Sequence, residues 1–165
     1  MTANAQDVKV FRVYIRTTPE RLWEAITDPG WNNKYGYQAV QEFELKKGGK
    51  YRGLATAEMR EYGGVPEVII EGEVLEATPP TRLVQTYRML FTPEMGAEPF
   101  TTLTYDIHAE HPDLCRLTIT HDVTGAPIHG ATVFNDGGLT DGGGGWAWIL
   151  SDLKTFLESG ASLQG

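Results

Sequence analysis

From residue 39 to residue 123 the sequence alternates apolar and polar residues, which is the pattern of strands with one buried face. Turn-forming residues interrupt the alternation at Gly48-Gly49, at 78–81 and at 111–113. Because Gly, Pro and Asp favour tight turns, each interruption predicts the tip of a β-hairpin, the first of which spans residues 39–62. With a further alternating segment that begins at Val8, the pattern predicts a seven-stranded antiparallel sheet.

A helix is predicted between the first strand and the first hairpin. Thr18 suits the N-cap, Pro19 suits the first helical position, and the residues at 28–30 (Asp-Pro-Gly) end the helix. Leu22 and Ile26 belong to its apolar stripe. The aromatic-rich residues 31–37 follow as a connector or a short second helix.

A second amphipathic helix closes the chain. Its apolar residues fall at helical spacing, Gly160 suits its C-cap, and Asp152 is expected to point outward. The apolar stripe consists of Trp146, Ile149, Leu150, Leu153 and Leu157. Since a sheet with one apolar face must be covered, this helix is the predicted cover.

Residues 123–145 form a long glycine-rich connection, in which residues 126–134 predict a short helix. Connections of this length in compact domains are commonly functional, so a lid is predicted. The expected lid glycines are Gly137, Gly138, Gly142, Gly143, Gly144 and Gly145. A phosphate cradle is the alternative, but the run lacks a P-loop lysine and is flanked by Asp136 and Asp141.

Composition narrows the possible partners. The net charge of −8 argues against nucleic acid, and no apolar run of the kind that makes a signal peptide or membrane span is visible. Cys115 is the single cysteine, which suits a cytoplasmic protein without disulfides. We expect one domain over residues 8–160, between disordered residues 1–7 and 161–165.

No metal or cofactor is expected. Asp106, His108 and Glu110 alternate on one strand face, but their parity is opposite to that of the apolar residues Tyr105 and Ile107, which predicts a solvated face. No serine lies in a nucleophile elbow.

Five segments together resemble a known superfamily. They are "TTPERLWEAITDP", the glycine turn before "YR", "GEVLEATPPTRLVQTY", "CRLTITHD" and "GGWAWILSDLKTFLESG". They are similar to the START-like (SRPBCC) helix-grip superfamily, in its bacterial branch related to the C-terminal domain of the activator of Hsp90 ATPase. The resemblance implies an α+β helix-grip fold, with a hydrophobic pocket between the sheet and the C-terminal helix. Relatives include lipid carriers, polyketide cyclases and aromatases, and proteins that neutralise toxic natural products.

The residues expected to bind a ligand are mainly aromatic. They are Trp23, Trp31, Tyr35, Tyr87, Phe91, His121, Trp146, Ile149, Leu150 and Leu153. His121 shares strand parity with Leu117 and Ile119, so it is expected to face inward, either as a general base or as a satisfied buried histidine. Gln85 is a further inward candidate.

The residues and the resemblance favour the binding of a small hydrophobic or polycyclic molecule, with self-resistance to a toxic natural product as one form of it. The alternatives are a polyketide cyclase or aromatase, and a protein-interaction module of the co-chaperone kind. We expect a monomer or weak homodimer.

Overall fold

The computed structural model describes residues 7–134 and 144–164. Its strands are β1 (Val8–Ile15), β2 (Val40–Phe43), β3 (Lys50–Leu54), β4 (Val68–Thr78), β5 (Arg82–Met89), β6 (Thr101–His111) and β7 (Leu114–Asp122). Its helices are α1 (Pro19–Thr27), α2 (Pro29–Asn32), α3 (Ala57–Gly63), α4 (Pro93–Gly96), α5 (Pro127–Val133) and α6 (Gly145–Ser159).

The seven strands form one sheet in the order β1-β7-β6-β5-β4-β3-β2. Every neighbouring pair is antiparallel. The three predicted hairpins are confirmed as β2–β3, β4–β5 and β6–β7. The first strand pairs with the last, which places β1 at one edge and β2 at the other.

The predicted length of the first hairpin is wrong. Its second strand ends at Leu54, and α3 follows. Local capping explains the helix, because the Thr56 hydroxyl accepts a hydrogen bond from the Met59 amide at 3.1 Å. Gly64, with φ of 62°, ends it in the left-handed conformation that favours glycine.

The middle of the sheet carries a β-bulge where β4 pairs with β5. The register shifts between Val74 and Glu76. A bulge increases local twist. Nearby, a Cβ on Gly72 would lie 2.0 Å from the Thr86 carbonyl oxygen, so only glycine permits this close approach of the two backbones.

Both predicted main helices are confirmed. Thr18 caps α1 by accepting from the Arg21 amide at 3.2 Å, and Pro19 is its first residue. Gly160, with φ of 82°, follows the last residue of α6. The short helix predicted in the glycine-rich connection is α5. No helix in the ranges 7–134 and 144–164 is long and apolar enough to cross a membrane.

The hydrophobic core lies between one sheet face and α1 and α6. Strand parity is confirmed there, since Leu117, Ile119 and His121 are each fully buried. Cys115 is also buried, its thiol donates to the Thr17 carbonyl oxygen at 3.3 Å, and burial raises its pKa.

Candidate functional site

A cavity of about 350 Å³ lies between the sheet and α6. It is in the lower part of the size range of small-molecule sites. Several sequence-predicted residues line it: Tyr35, Tyr87, Phe91, Trp146, Ile149, Leu150 and Leu153. These residues come from β5, α6 and the segments that follow α2 and β5, so the fold brings distant parts of the chain to one space.

Three predicted residues are not among those that line the cavity. Trp23 is buried in the core on α1. Trp31 packs against Phe156 with ring centroids 6.0 Å apart, and the Lys34 ammonium lies 4.7 Å from its ring centroid. His121 lies behind the cavity wall, because Tyr87 and Trp146 stand beside it.

Sequence reasoning missed one group of lining residues, which lie on the connector after α2 and on the short helices α3 and α4. They are Gly36, Gln38, Ala39, Met59 and Met95, whereas the neighbouring Tyr37, which also lines the cavity, is an aromatic expected beside it. Met59 was missed because its segment reads as a strand continuation. The capping threonine at position 56, three residues before Met59, is the signal that marks the helix.

The cavity carries no formal charge among the residues that the structure describes. Its lining consists of aliphatic, aromatic, methionine, amide and hydroxyl side chains, without Asp, Glu, Lys, Arg or His. An ionised ligand group would therefore lose its hydration without gaining a counter-charge, which is strongly unfavourable. The lining suits an uncharged molecule.

His121 has both ring nitrogens engaged. Its Nδ1 accepts from the Trp146 indole N–H at 3.0 Å, which leaves the ring proton on Nε2. Nε2 then donates to the Thr101 hydroxyl at 2.8 Å. That hydroxyl in turn donates to the Tyr87 carbonyl oxygen at 2.7 Å. In these three bonds each group donates to the next, from Trp146 on α6 to the Tyr87 carbonyl oxygen on β5. They hold His121 as the neutral tautomer with its proton on Nε2.

The environment of His121 does not suit a general base. Burial, with a further contribution from nearby His129, lowers the pKa of His121 from 6.5 to about 3. A base that acts near neutral pH needs a free nitrogen within reach of the substrate. The hydrogen bonds therefore support the structural alternative, in which His121 positions Trp146.

Gln85 is fully buried, as the inward parity suggests. Its amide donates to the Thr86 carbonyl oxygen at 3.3 Å, and its own Oε1 has no hydrogen-bond partner among the described residues. Gln85 is not one of the residues that line the cavity.

A buried Glu98–His129 pair joins α5 to β5. Glu98 accepts from the His129 ring Nδ1 at 2.7 Å and from the amides of Ile128 and His129, each at 2.9 Å. The His129 Nε2 accepts from the Met89 amide at 2.7 Å. Desolvation acts to raise the pKa of Glu98, but these hydrogen bonds outweigh it and the pKa is lowered. The pair stabilises the wall beside Met89.

The prediction that Asp152 points outward is wrong, because its side chain is fully buried. It accepts from the Gly36 amide at 2.8 Å, from the Leu163 amide at 2.6 Å, and from the Ser162 hydroxyl. The side chain of Gln164 also donates to the Gly36 carbonyl oxygen at 2.7 Å. Residues 162–164, where disorder is predicted, thus hold the connector of the cavity against α6.

The glycine run meets α6 in an unusual backbone conformation. Gly144 has φ of 119° and Gly145 has φ of 49°, which residues with side chains rarely adopt. Gly145 is buried in the cavity wall. The other expected lid residues, Gly137, Gly138, Gly142 and Gly143, lie outside the described residues.

The row of acidic and histidine residues on β6 lies on the opposite sheet face from the core. The Arg82 guanidinium pairs with Asp106 at 2.7 Å, and Arg116 pairs with Glu110 at 3.3 Å. Within the described chain, no group of three or more His, Cys, Asp or Glu is arranged to hold a metal ion.

Solved structures with the same fold come from several organisms. CalU16 from Micromonospora echinospora is 20% identical with a TM-score of 0.61, over 93% of this chain and 77% of that one. PFC0360w, an HSP90 activator from Plasmodium falciparum, is 21% identical with a TM-score of 0.61, over 92% and 96%. DynU16, a putative protein in the dynemicin biosynthetic locus, is 18% identical with a TM-score of 0.66, over 94% of this chain and 49% of its own. These TM-scores show a shared fold, and at identities this low the similarity extends to the fold alone.

Among curated proteins, none is similar enough in sequence to count as a relative of this chain. A family model does match, from the end of β1 to the last turn of α6. The model is described as activator of Hsp90 ATPase homolog 1-like protein, and it matches residues 16–158. The chain therefore belongs to the activator of Hsp90 ATPase homolog 1-like family.

Proposed function

We propose that this protein binds a small, uncharged and largely apolar molecule in the cavity between the sheet and α6. The observation that carries the proposal is the uncharged, mainly apolar and aromatic lining of a space of about 350 Å³. Binding sites for small molecules have this composition, with few polar groups that fix the ligand's orientation.

The geometry favours binding over general-base catalysis. No lining residue in the described chain has a carboxylate or an imidazole, and the His121 ring is enclosed by its own hydrogen bonds. A cyclase that uses a carboxylate or an imidazole to remove protons needs that group at the cavity wall, and none lines it in the described chain. We therefore place the enzyme second.

DynU16 shares the fold and is a putative protein in a biosynthetic locus. This supports a natural product as the ligand class. Self-resistance to a toxic natural product would be one form of such binding. PFC0360w shares the fold as well, and its description as an HSP90 activator supports a protein partner as the third possibility. Binding of a small molecule inside the cavity distinguishes the ligand-binding function from a function that depends only on a protein partner.

The test is calorimetric titration with a panel of sterols, flavonoids, polycyclic ketones and fatty acids. Ile149→Trp fills the cavity, whereas Ala147→Trp adds the same side chain at an exposed position of α6. We expect saturable binding of at least one uncharged compound, lost in Ile149→Trp and retained in Ala147→Trp. Equal affinity in both variants, or no binding across the panel, would reject the cavity as the site.

A further inference from the structure

Most polar groups at the cavity wall already have partners within the protein. The Asn32 amide nitrogen donates to the carbonyl oxygens of Ile26 at 3.1 Å and Gln41 at 2.8 Å. Its amide oxygen accepts from the Gln41 amide at 3.0 Å. The Tyr35 hydroxyl donates to the Ala25 carbonyl oxygen at 3.0 Å. These groups hold the wall together and have little capacity left for a ligand.

Tyr87 and Tyr105 differ from them. Both line the cavity, and neither hydroxyl makes a hydrogen bond to any residue in the part of the chain that the structure describes. Each hydroxyl oxygen keeps some accessible surface, so a molecule in the cavity can reach it. A buried phenol normally finds a partner. These two hydroxyls are therefore polar groups on the β-strands of the wall that are available to a ligand.

The two rings are held in place by their neighbours. Tyr87 stacks on Tyr51 with centroids 6.2 Å apart and meets His121 edge-on at 5.2 Å. Tyr105 meets Trp146 edge-on at 6.1 Å. Because the rings are already ordered, a ligand that accepts their hydrogen bonds loses little free energy in fixing them.

Both hydroxyls remain protonated near neutral pH. Burial raises the pKa of each above its ordinary value of 10.0, and the nearby hydroxyls of Tyr35 and Tyr87 raise that of Tyr105 further. They therefore act as donors to a ligand. An acceptor without charge suits them best, since no cation lines the wall to balance a carboxylate.

On the basis of the proposed function, we propose that the ligand is an uncharged aromatic compound with a carbonyl oxygen that accepts hydrogen bonds from Tyr87 and Tyr105. The aromatic walls select the ring system, and the two hydroxyls select the oxygen and set its orientation. A hydrocarbon of the same shape enters the same space but leaves both donors unpaired.

Fluorenone and fluorene test this selection, because they share a tricyclic skeleton and differ in one carbonyl oxygen. Their affinities are measured by calorimetry in the unaltered protein and in Tyr87→Phe and Tyr105→Phe. We expect fluorenone to bind about three- to tenfold more tightly than fluorene for each hydroxyl that donates to it. Each Phe variant is expected to lose about that factor for fluorenone, and less than about twofold for fluorene.

Two matched variants serve as controls. Tyr35→Phe removes a lining hydroxyl that is already bonded to the protein, and Tyr62→Phe removes one that is 81% exposed. Both are expected to keep the preference for fluorenone. If both compounds bind but the preference is absent or survives in both Tyr87→Phe and Tyr105→Phe, the ligand class is wrong while the binding cavity stands. If neither compound binds, both the ligand class and the cavity function are rejected.

Discussion

The indole nitrogen of Trp146 lies 3.0 Å from Nδ1 of His121 and donates a hydrogen bond to it. Trp146 is the second residue of α6, directly after Gly145, whereas His121 lies near the end of β7. The bond therefore ties the start of the C-terminal helix to the sheet at the point where the glycine run ends. It also directs the indole N–H away from any ligand.

Loss of this bond is expected to destabilise the fold. Trp146→Phe keeps an aromatic ring but leaves Nδ1 of His121 without a donor, so we expect unfolding to become easier by about 1–3 kcal/mol. Urea denaturation gives this value. Trp148→Phe makes the same chemical change at a half-buried position of the same helix, and an equal loss there would contradict the role of the bond.

Stability is expected to fall as the pH drops from 7 to 5. The pKa of His121 is about 3 in the folded state and 6.5 unperturbed, so only the unfolded chain takes up the proton in this range. The contribution of neutral His121 to the free energy of unfolding is complete above pH 6.5, and it is lost progressively as the pH falls from 6.5 towards 3. From the two pKa values, the loss at pH 5 is about 2 kcal/mol.

Denaturation at pH 7 and pH 5 measures this loss. His121→Gln is expected to remove that part of the pH dependence, whereas His108→Gln, at an exposed position, is expected to retain it. The pKa values of Glu98 and Glu158 are lowered from 4.5, so those carboxylates titrate below this window. An unchanged pH dependence in His121→Gln would show that His121 is not its source.

Glu98→Gln is expected to destabilise the protein by about 1–3 kcal/mol. One carboxylate oxygen accepts from the Ile128 amide, and the other accepts from His129. In the glutamine variant an NH₂ group replaces one of these oxygens, so that it faces an N–H donor and the hydrogen bond is lost. Thermal or urea unfolding measures the change. Glu94→Gln, at an exposed position of α4, is the control and is expected to change stability by less than about 0.5 kcal/mol.

Asp152→Asn is expected to loosen the connector at the cavity. The carboxylate binds the amides of Gly36 and Leu163 through different oxygens, and an Asn side chain satisfies only one of them. Hydrogen exchange at these two amides should become faster by about tenfold or more, corresponding to about 1.4 kcal/mol of local opening. Ser151→Ala, on the exposed side of α6, should leave both rates unchanged; exchange as slow in Asp152→Asn as in the unaltered protein would contradict the anchoring role.

The sequence predicted the sheet and both main helices because their signals are local. Alternation places Leu117, Ile119 and His121 on the inward face, and Thr18 with Pro19 marks the start of α1. The cavity wall was predicted only in part. A buried ring on the inward face either fills the core or faces empty space, and the outcome depends on the twist of the sheet and on helices such as α3.

The polar network was harder to predict, because its partners are far apart in sequence. His129 binds the Met89 amide 40 residues away, and Asp152 binds the Gly36 amide 116 residues away. Helical periodicity places Asp152 outside the apolar stripe, which led to the wrong expectation of exposure. A buried carboxylate is tolerated there because three hydrogen-bond donors meet it.

The most direct test of the cavity is an NMR titration of methyl-labelled protein with fluorenone, which reports where the molecule binds. We expect saturable shifts at methyl groups of the wall, namely those of Ile69, Ile70, Leu117, Leu150 and Leu153. The methyl groups of Leu75 and Leu163, which are 39% and 53% exposed, should not shift. Shifts confined to the exposed methyl groups, or no saturable shift at any wall methyl, would contradict a ligand-binding cavity between the sheet and α6.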